Sequence, residues 1–216
     1  MLAQRLRRKK VAKAPKFVGA NAYAMATSAT AYQNALTQTG DLLVAILFAK
    51  DGDPRDMSFN TPAGWALEFD RPALSGGGSS IIACYSKVAT QDGYNSVGTF
   101  STSGASSWFV IILITVRGPK TGVTTIAPVL TTATAATVAL ASISPTKPAL
   151  LCGAASGFGS SAWTPPGSMT QAGADSYGLL SSILAVETMN APGATGTRTF
   201  TFGSSDDLSG LLFTIE

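Results

Sequence analysis

Histidine is absent from the 216-residue sequence, and cysteine occurs only twice. Without histidine there can be no Ser-His-Asp or Cys-His catalysis, no imidazole metal ligand and no side chain that titrates unperturbed near neutral pH. Two cysteines, Cys84 and Cys152, are too few for a zinc cluster or a disulfide framework. We therefore expect no catalytic residues, no metal site and no cofactor.

Charge and long apolar segments are also scarce. Charged residues make up 12% of the chain, against about 25% in a typical soluble domain, while 48 residues are serine or threonine. The longest largely apolar run, Trp108 to Val116, has nine residues, whereas a membrane helix needs about 20. No apolar segment follows the basic start, as it would in a signal peptide. The sequence predicts a cytosolically made protein with a hydroxyl-rich surface and no membrane association.

The few charges are unevenly distributed. Residues 1–16 contain no acidic side chain and seven basic ones: Arg5, Arg7, Arg8, Lys9, Lys10, Lys13 and Lys16. The remaining 200 residues contain eight basic and twelve acidic side chains, a net charge of −4. Such a basic run is either a solvated tail or an arm that becomes ordered on an acidic partner. Because the body has no basic patch interleaved with aromatics, we expect a protein partner rather than nucleic acid.

Residues 17–216 have the pattern of a β protein. Short β-prone runs recur between glycine- and proline-rich turns, and no long segment has a helical apolar period. Ten strands are predicted: Leu42–Ala49, Trp65–Phe69, Ser80–Ala89, Gly98–Ser103, Ser107–Arg117, Thr134–Ile143, Ala149–Ala155, Leu179–Met189, Thr197–Phe202 and Leu208–Ile215. The run Trp108–Val116 is apolar throughout, which is typical of a central strand buried on both faces. The pattern predicts an all-β, jelly-roll-like β-sandwich with about eight to ten strands in two sheets.

The two halves of this domain resemble each other. Thr61-Pro62-Ala63-Gly64 recurs as Thr164-Pro165-Pro166-Gly167, and Thr99-Phe100 recurs as Thr199-Phe200. Further matches keep the same order at similar offsets, which favours two echoing halves at about 40–118 and 148–216 over chance similarity. If each half supplies about four strands to two facing sheets, neither buries its inner face alone. We therefore expect one domain, residues 17–216, preceded by the arm.

Turn and strand motifs of the first half follow one another in a distinctive order: Gly40-Asp41-Leu42-Leu43-Val44-Ala45, Thr61-Pro62-Ala63-Gly64-Trp65, Tyr85-Ser86-Lys87-Val88-Ala89-Thr90 and Gly98-Thr99-Phe100-Ser101. This order resembles a β-sandwich module of structural proteins in tailed bacteriophages. The resemblance covers roughly residues 17–118, and extends loosely to the second half through the echo. It implies a virion protein of the head decoration (cement) or tail-fibre type, with no shared catalytic residues and often a trimer.

Three further groups of residues could carry a function. Trp65 and Trp163 adjoin turns, where they either pack into the core or, if exposed, stack on sugars. The acidic turn with Asp51, Asp53 and Asp56 is read as a solvated hairpin tip, because it lacks the bidentate glutamate of a calcium loop and contains Arg55. Cysteines 84 and 152 lie in apolar strands and are expected to be buried small hydrophobic residues.

These observations favour a non-catalytic protein of the bacteriophage virion, assembled in the host cytoplasm. We expect it to decorate the capsid, with the major capsid protein as its partner and with copies of itself as neighbours. The first alternative is a tail-fibre or adaptor module that binds a host surface glycan or receptor. The second is a secreted or surface adhesive β-domain of bacterial origin. Fold-level resemblance leaves head and tail undecided.

Overall fold

The computed structural model describes residues 12–50, 58–71, 81–103, 108–118 and 122–216; for Arg71 and residues 124–134 it describes the backbone alone. All regular elements in these ranges are β-strands, and the strand pairings among them are antiparallel. The all-β prediction is therefore confirmed. Within the same ranges there is no helix long and apolar enough to cross a membrane.

The first half of the chain contributes eight strands. They are β1 (Lys16–Met25), β2 (Ser28–Tyr32), β3 (Leu42–Lys50), β4 (Ser58–Asn60), β5 (Ala66–Arg71), β6 (Ile81–Val88), β7 (Ser96–Ser103) and β8 (Trp108–Arg117). The second half contributes six, two of which are long. They are β9 (Val123–Leu140), β10 (Ala149–Phe158), β11 (Trp163–Thr164), β12 (Thr170–Tyr177), β13 (Leu180–Met189) and β14 (Arg198–Ile215).

These strands form three sheets. The first inner sheet has the order β1-β8-β3-β6-β5, and a small outer sheet has the order β2-β7-β4. The third sheet has the order β11-β14-β10-β13-β12, with β9 pairing along β14. Strands β9 and β14 of this sheet are long. Their register shifts between Thr201 and Asp206, and at this irregularity the strands bend from one layer into the next.

The two halves share one strand order. The second part of β14 pairs with β10 and with the start of β9, as β8 pairs with β3 and β1. The first part of β14 pairs with β11 and the end of β9, as β7 pairs with β4 and β2. The edge strands β5 and β12 even carry a bulge at the same place, at Glu68 and at Ala172. The repeated unit therefore includes β1, β2 and β9, which lie outside the ranges 40–118 and 148–216.

Three apolar cores lie between the layers. The central core joins the two halves, and it includes these buried residues of both: Leu42, Val44, Ile46, Phe48, Ile112, Cys152, Ala154, Leu184, Phe213 and Ile215. The second core lies under the small outer sheet and contains Leu47, Phe100 and Ile111. The third lies beneath the bent part of β14 and contains Phe200, Phe202 and Trp163. Each such Leu, Ile or Phe contributes about 1.5–3 kcal/mol by leaving water.

Strands β3 and β8 explain why the sequence shows no alternation there. Successive residues of a strand point to opposite faces, and each face of these two strands meets a core, so Ile111 and Ile112 are both fully buried in different cores. The prediction that Trp108–Val116 is a central strand buried on both faces is confirmed.

The all-β class is confirmed, and the antiparallel sheets are consistent with a β-sandwich. The predicted numbers of strands and sheets were too low: the described residues hold fourteen strands in three sheets, not eight to ten in two. Strands β4 and β11 have three and two residues, which is too short for a periodic signal. In strands β1 and β2 the residues that alternate with polar ones are mainly alanines, whose small side chains give a weaker signal than large apolar residues do.

The central core makes a direct prediction. Replacing Ile112, which is fully buried and lies opposite Ile46, by Ala should lower the free energy of unfolding by about 2–5 kcal/mol. Urea denaturation measures this, and both halves should unfold in one transition because they share the core. Val88→Ala, at a side chain that is 54% exposed, is the control and should change stability by less than about 0.5 kcal/mol. Equal effects of the two substitutions would contradict the assignment of this core.

Candidate functional site

The basic arm meets the body at strand β1. Lys13 and Lys16 are exposed, and Lys16 is the first residue of β1, where it pairs with Arg117 at the end of β8. The other predicted arm residues, Arg5, Arg7, Arg8, Lys9 and Lys10, lie outside the described residues. Because β1 is an edge strand, the arm starts at the rim of the inner sheet.

A groove of about 530 Å³ adjoins this starting point, lined by Lys16, Leu36, Asp92, Gly93 and Arg117 among others. Arg117 is held at its wall by two bonds to one carboxylate: Nε donates to Asp41 Oδ1 at 3.0 Å and Nη2 donates to Asp41 Oδ2 at 2.8 Å. Nη2 also donates to the Leu36 carbonyl oxygen at 2.7 Å. Such a two-pronged contact holds the guanidinium in one orientation at the surface.

Three tyrosines lie beside the groove. Tyr23 Oη donates to the Tyr32 carbonyl at 3.0 Å and accepts from the Tyr32 amide at 3.1 Å. The rings of Tyr32 and Tyr94 stack with centroids 5.0 Å apart and planes 4° apart. Tyr94 is 60% exposed, so the stack ends in an aromatic ring that faces solvent.

The tyrosine stack and the groove form one surface. The Gly93 amide donates to the Thr37 carbonyl at 2.8 Å, which holds the loop of Tyr94 against the loop of Leu36. Leu36 is 66% exposed. We call Lys16, Leu36, Gly93, Tyr94 and Arg117 the arm-root surface. It combines exposed apolar side chains with two cations, a composition suited to binding another protein.

Sequence reasoning missed this surface. Its residues come from β1, the loop after β2, the loop after β6 and the end of β8, and only strand pairing brings them together. The one available signal was the frequency of tyrosine in the first half of the chain, at positions 23, 32, 85 and 94.

The two candidate sugar-stacking tryptophans line cores. Trp65 is half-buried, donates from Nε1 to the Val97 carbonyl at 3.3 Å and meets the Phe100 ring edge-on at 5.1 Å. Trp163 is only 9% exposed and lies against Phe202 with centroids 4.7 Å apart. The packing interpretation thus accounts for both positions, and stacking of a sugar on either ring stays a prediction.

Cys84 and Cys152 are free thiols, both fully buried in the central core. Burial raises the pKa of each thiol because it disfavours the thiolate. A thiol kept protonated is a poor nucleophile and a poor metal ligand, and the assignment of both as small core residues is confirmed.

Acidic side chains are dispersed over the described part of the chain. Asp51, Asp53 and Asp56 lie outside it. Glu187 accepts from Arg198 Nε at 3.1 Å and from Arg198 Nη2 at 2.9 Å. Within the described residues, no group of three or more Cys, Asp or Glu is close enough to hold a metal ion.

Comparison with known proteins gives no relative: no family model, no curated protein and no solved structure matches the chain.

Tyr23 makes a pH-dependent prediction. Its burial raises the pKa of its phenol to about 12, above the usual value of about 10, so the folded state favours the protonated form. The stabilisation is complete below about pH 10 and is lost as the pH rises toward about 12. Tyr23→Phe should cost about 1 kcal/mol at about pH 8, because two hydrogen bonds to Tyr32 disappear.

Urea denaturation of both proteins at about pH 8 and about pH 11.5 measures this difference. The difference in the free energy of unfolding between wild type and Tyr23→Phe should become smaller at the higher pH. Tyr177→Phe, at a ring that is 41% exposed, serves as the control and should leave the pH profile unchanged. A gap that is identical at both pH values would be evidence against the role of Tyr23.

Proposed function

We propose that this chain is a non-catalytic structural protein of a tailed bacteriophage particle, and that it decorates the head by binding the major capsid protein. One observation carries the proposal: the basic arm begins directly beside the arm-root surface, where Leu36 is 66% and Tyr94 60% exposed. A cation-rich segment and a fixed apolar patch at its base form two parts of one binding surface.

Electrostatics supports a protein partner with acidic groups. The arm concentrates seven of the 15 basic residues of the chain, and the last of them, Lys16, lines the groove on the body. Long-range attraction brings partners together quickly, while the apolar contact determines how long they stay together. A solvated tail without a partner would give no reason for exposed apolar side chains at its base.

The fold supports a virion role. In the first half, the order β1-β8-β3-β6 in one sheet and β2-β7-β4 in the other supports a jelly-roll-like arrangement, an architecture found in viral capsid proteins. We propose that each half is a jelly-roll-like unit, with β5 pairing to β6 in place of β4. In this interpretation each half contains all the strands of one jelly-roll-like unit, whereas the sequence pattern predicts that each half supplies only half of the strands of a single sandwich.

Several copies would act together on the shell. A protein that binds the assembled shell but not its separated subunits stabilises the shell by mass action. A homo-oligomer, a trimer in particular, would repeat the arm around a symmetry axis and multiply its weak contacts. The low charge of the chain, in which 12% of the residues are charged, suits a surface that neighbouring subunits cover.

The alternative is a tail-fibre or adaptor module that binds a host surface glycan or receptor. A hydroxyl-lined pocket beside Trp163 is the observation that favours it. The two proposals differ in the region that binds, because the arm-root surface lies on the first half and the pocket on the second.

The arm proposal predicts a loss of head binding without a loss of folding. Replacing Arg5, Arg7, Arg8, Lys9 and Lys10 by Gln keeps the length but removes five charges, and should weaken binding to heads that lack the protein by about tenfold or more. Co-sedimentation at several salt concentrations measures the affinity, and thermal unfolding should be unchanged. Lys147→Gln, an exposed cation of the body, is the control. Full decoration by the five-Gln protein would refute the arm proposal.

The arm-root surface can be tested separately with matched leucines. Leu36→Ser should weaken head binding by about tenfold, because burial of a leucine contributes about 1.5–3 kcal/mol. Leu67→Ser removes a side chain of similar exposure, 57% against 66%, from the edge strand β5, and should bind like wild type. If the two variants bind heads with equal affinity, the arm-root surface is not part of the interface with the head.

A further inference from the structure

A pocket of about 400 Å³ opens between β11, β12 and the loop that follows β10. Its volume is within the range of about 300–1,000 Å³ that is usual for small-molecule sites. The lining residues include Ser161, Trp163, Gln171, Ser176 and Ser181. The pocket is therefore rich in hydroxyl groups and lies next to a core tryptophan.

Strand register determines which side chains face this pocket. Strand β12 pairs with β13 so that Gln171, Ala174 and Ser176 stand opposite Ala185, Ile183 and Ser181. Ile183 and Ala185 belong to the core that contains Trp163, so the polar members of this row share the face of Trp163.

The charged residue at the rim points elsewhere. Asp175 stands opposite Ser182, one residue out of step with Ile183, and therefore on the opposite face of the sheet. Its Oδ1 accepts from the Ser176 amide at 2.8 Å. Asp175 is nevertheless among the residues that line the pocket, so the lining combines hydroxyl groups, a primary amide and an indole with one acidic residue at the rim.

Trp163, which is one of the lining residues, has an unused hydrogen-bond donor. The residue is 9% exposed, and its buried Nε1 has no hydrogen-bond partner among the described residues. An unpaired buried donor costs about 1–3 kcal/mol. Trp65, by contrast, satisfies its Nε1 with the Val97 carbonyl. A ligand oxygen in the pocket would supply the acceptor that Trp163 lacks.

The duplicated fold provides an internal comparison. By strand register, Ser181 stands where the first half has Ile81, and Gln171 stands where it has Leu67. Trp163 stands where the first half has Phe59, each being paired to the strand that carries Phe200 or Phe100. The same architecture is thus built in the first half with apolar residues.

Folding therefore does not require polar side chains at these positions. We propose that the pocket beside Trp163 is a binding site for a neutral polyhydroxylated ligand the size of a monosaccharide. Ser181 Oγ already donates to the Ser161 carbonyl oxygen at 3.2 Å, and Ser161 Oγ donates to Ser204 Oγ at 3.1 Å. These two hydroxyls can still accept from a sugar hydroxyl, and the Gln171 amide can both donate and accept. The indole N–H donates to a ligand oxygen, and the face of the indole stays packed on Phe202. The sugar thus contacts the edge of Trp163 rather than stacking on its ring.

The indole N–H resonances of the three tryptophans give a readout specific to this site. In ¹H–¹⁵N spectra, Trp163→Phe identifies the Trp163 resonance by its disappearance, and Phe59 in the equivalent place indicates that phenylalanine fits. Glucose, galactose, mannose and N-acetylglucosamine are each titrated to about 100 mM, since a single-sugar site is expected to bind in the millimolar range. We expect at least one of them to shift the Trp163 resonance saturably and to leave those of Trp65 and Trp108 in place.

Matched variants test the assignment. Gln171→Leu combined with Ser181→Ala should lower the affinity for the sugar that binds by about tenfold or more, because two polar contacts are lost. Trp163→Phe should weaken it as well, measured by ligand-observed NMR, whereas Trp65→Phe should bind like wild type. Thermal unfolding of each variant confirms that it is folded.

Three results would overturn the inference. They are the absence of any shift with all four sugars, an unchanged affinity in the double variant, and a shift caused by inorganic phosphate but by none of the sugars. The site does not depend on head decoration: sugar binding should survive replacement of the arm charges, and head binding should survive Trp163→Phe. Failure of one proposal is therefore distinguishable from failure of the other.

Discussion

The contact between the two inner sheets is the constraint on which the rest of the structure depends. Each inner sheet has apolar residues on both faces, so a half on its own would expose one of them to water. Packing β8 on β13 and β14 on β6 removes both exposed faces at once. The central core is also where the fold tolerates least change, because protein interiors are closely packed and a lost methylene leaves a void.

Duplication lets the two halves differ where the central core does not restrict them. On the central face, Phe48 of the first half corresponds to Ser156 of the second, so equivalent positions of the two halves differ in size. Away from that face the differences are chemical: tyrosines and exposed cations in the first half, and a hydroxyl-lined pocket in the second. One scaffold thereby carries two chemically unlike surfaces.

Both surfaces lie at edges of the sheets. The arm-root surface adjoins the edge strand β1, and the pocket adjoins the edge strand β12. Central strands are buried on both faces, so their side chains are not accessible to a partner. Edge strands and loops have accessible backbone groups and side chains. A decoration protein that also holds a sugar would use the interior for stability and the rims for recognition.

Some properties of this protein were determined by local sequence. The β class follows from short β-prone runs between turns, the double burial of β8 from an unbroken apolar run, and the basic arm from a count of charges. Strands β4 and β11 could not be predicted, because two or three residues carry no period. The stacking of Tyr32 on Tyr94, the tilted contact of Tyr23 with Tyr32, and the placement of Trp163 Nε1 without a partner among the described residues were decided only by tertiary structure. Antiparallel pairing joins segments far apart in the chain, and which groups it leaves paired, buried or exposed is a property of the register rather than of any one segment.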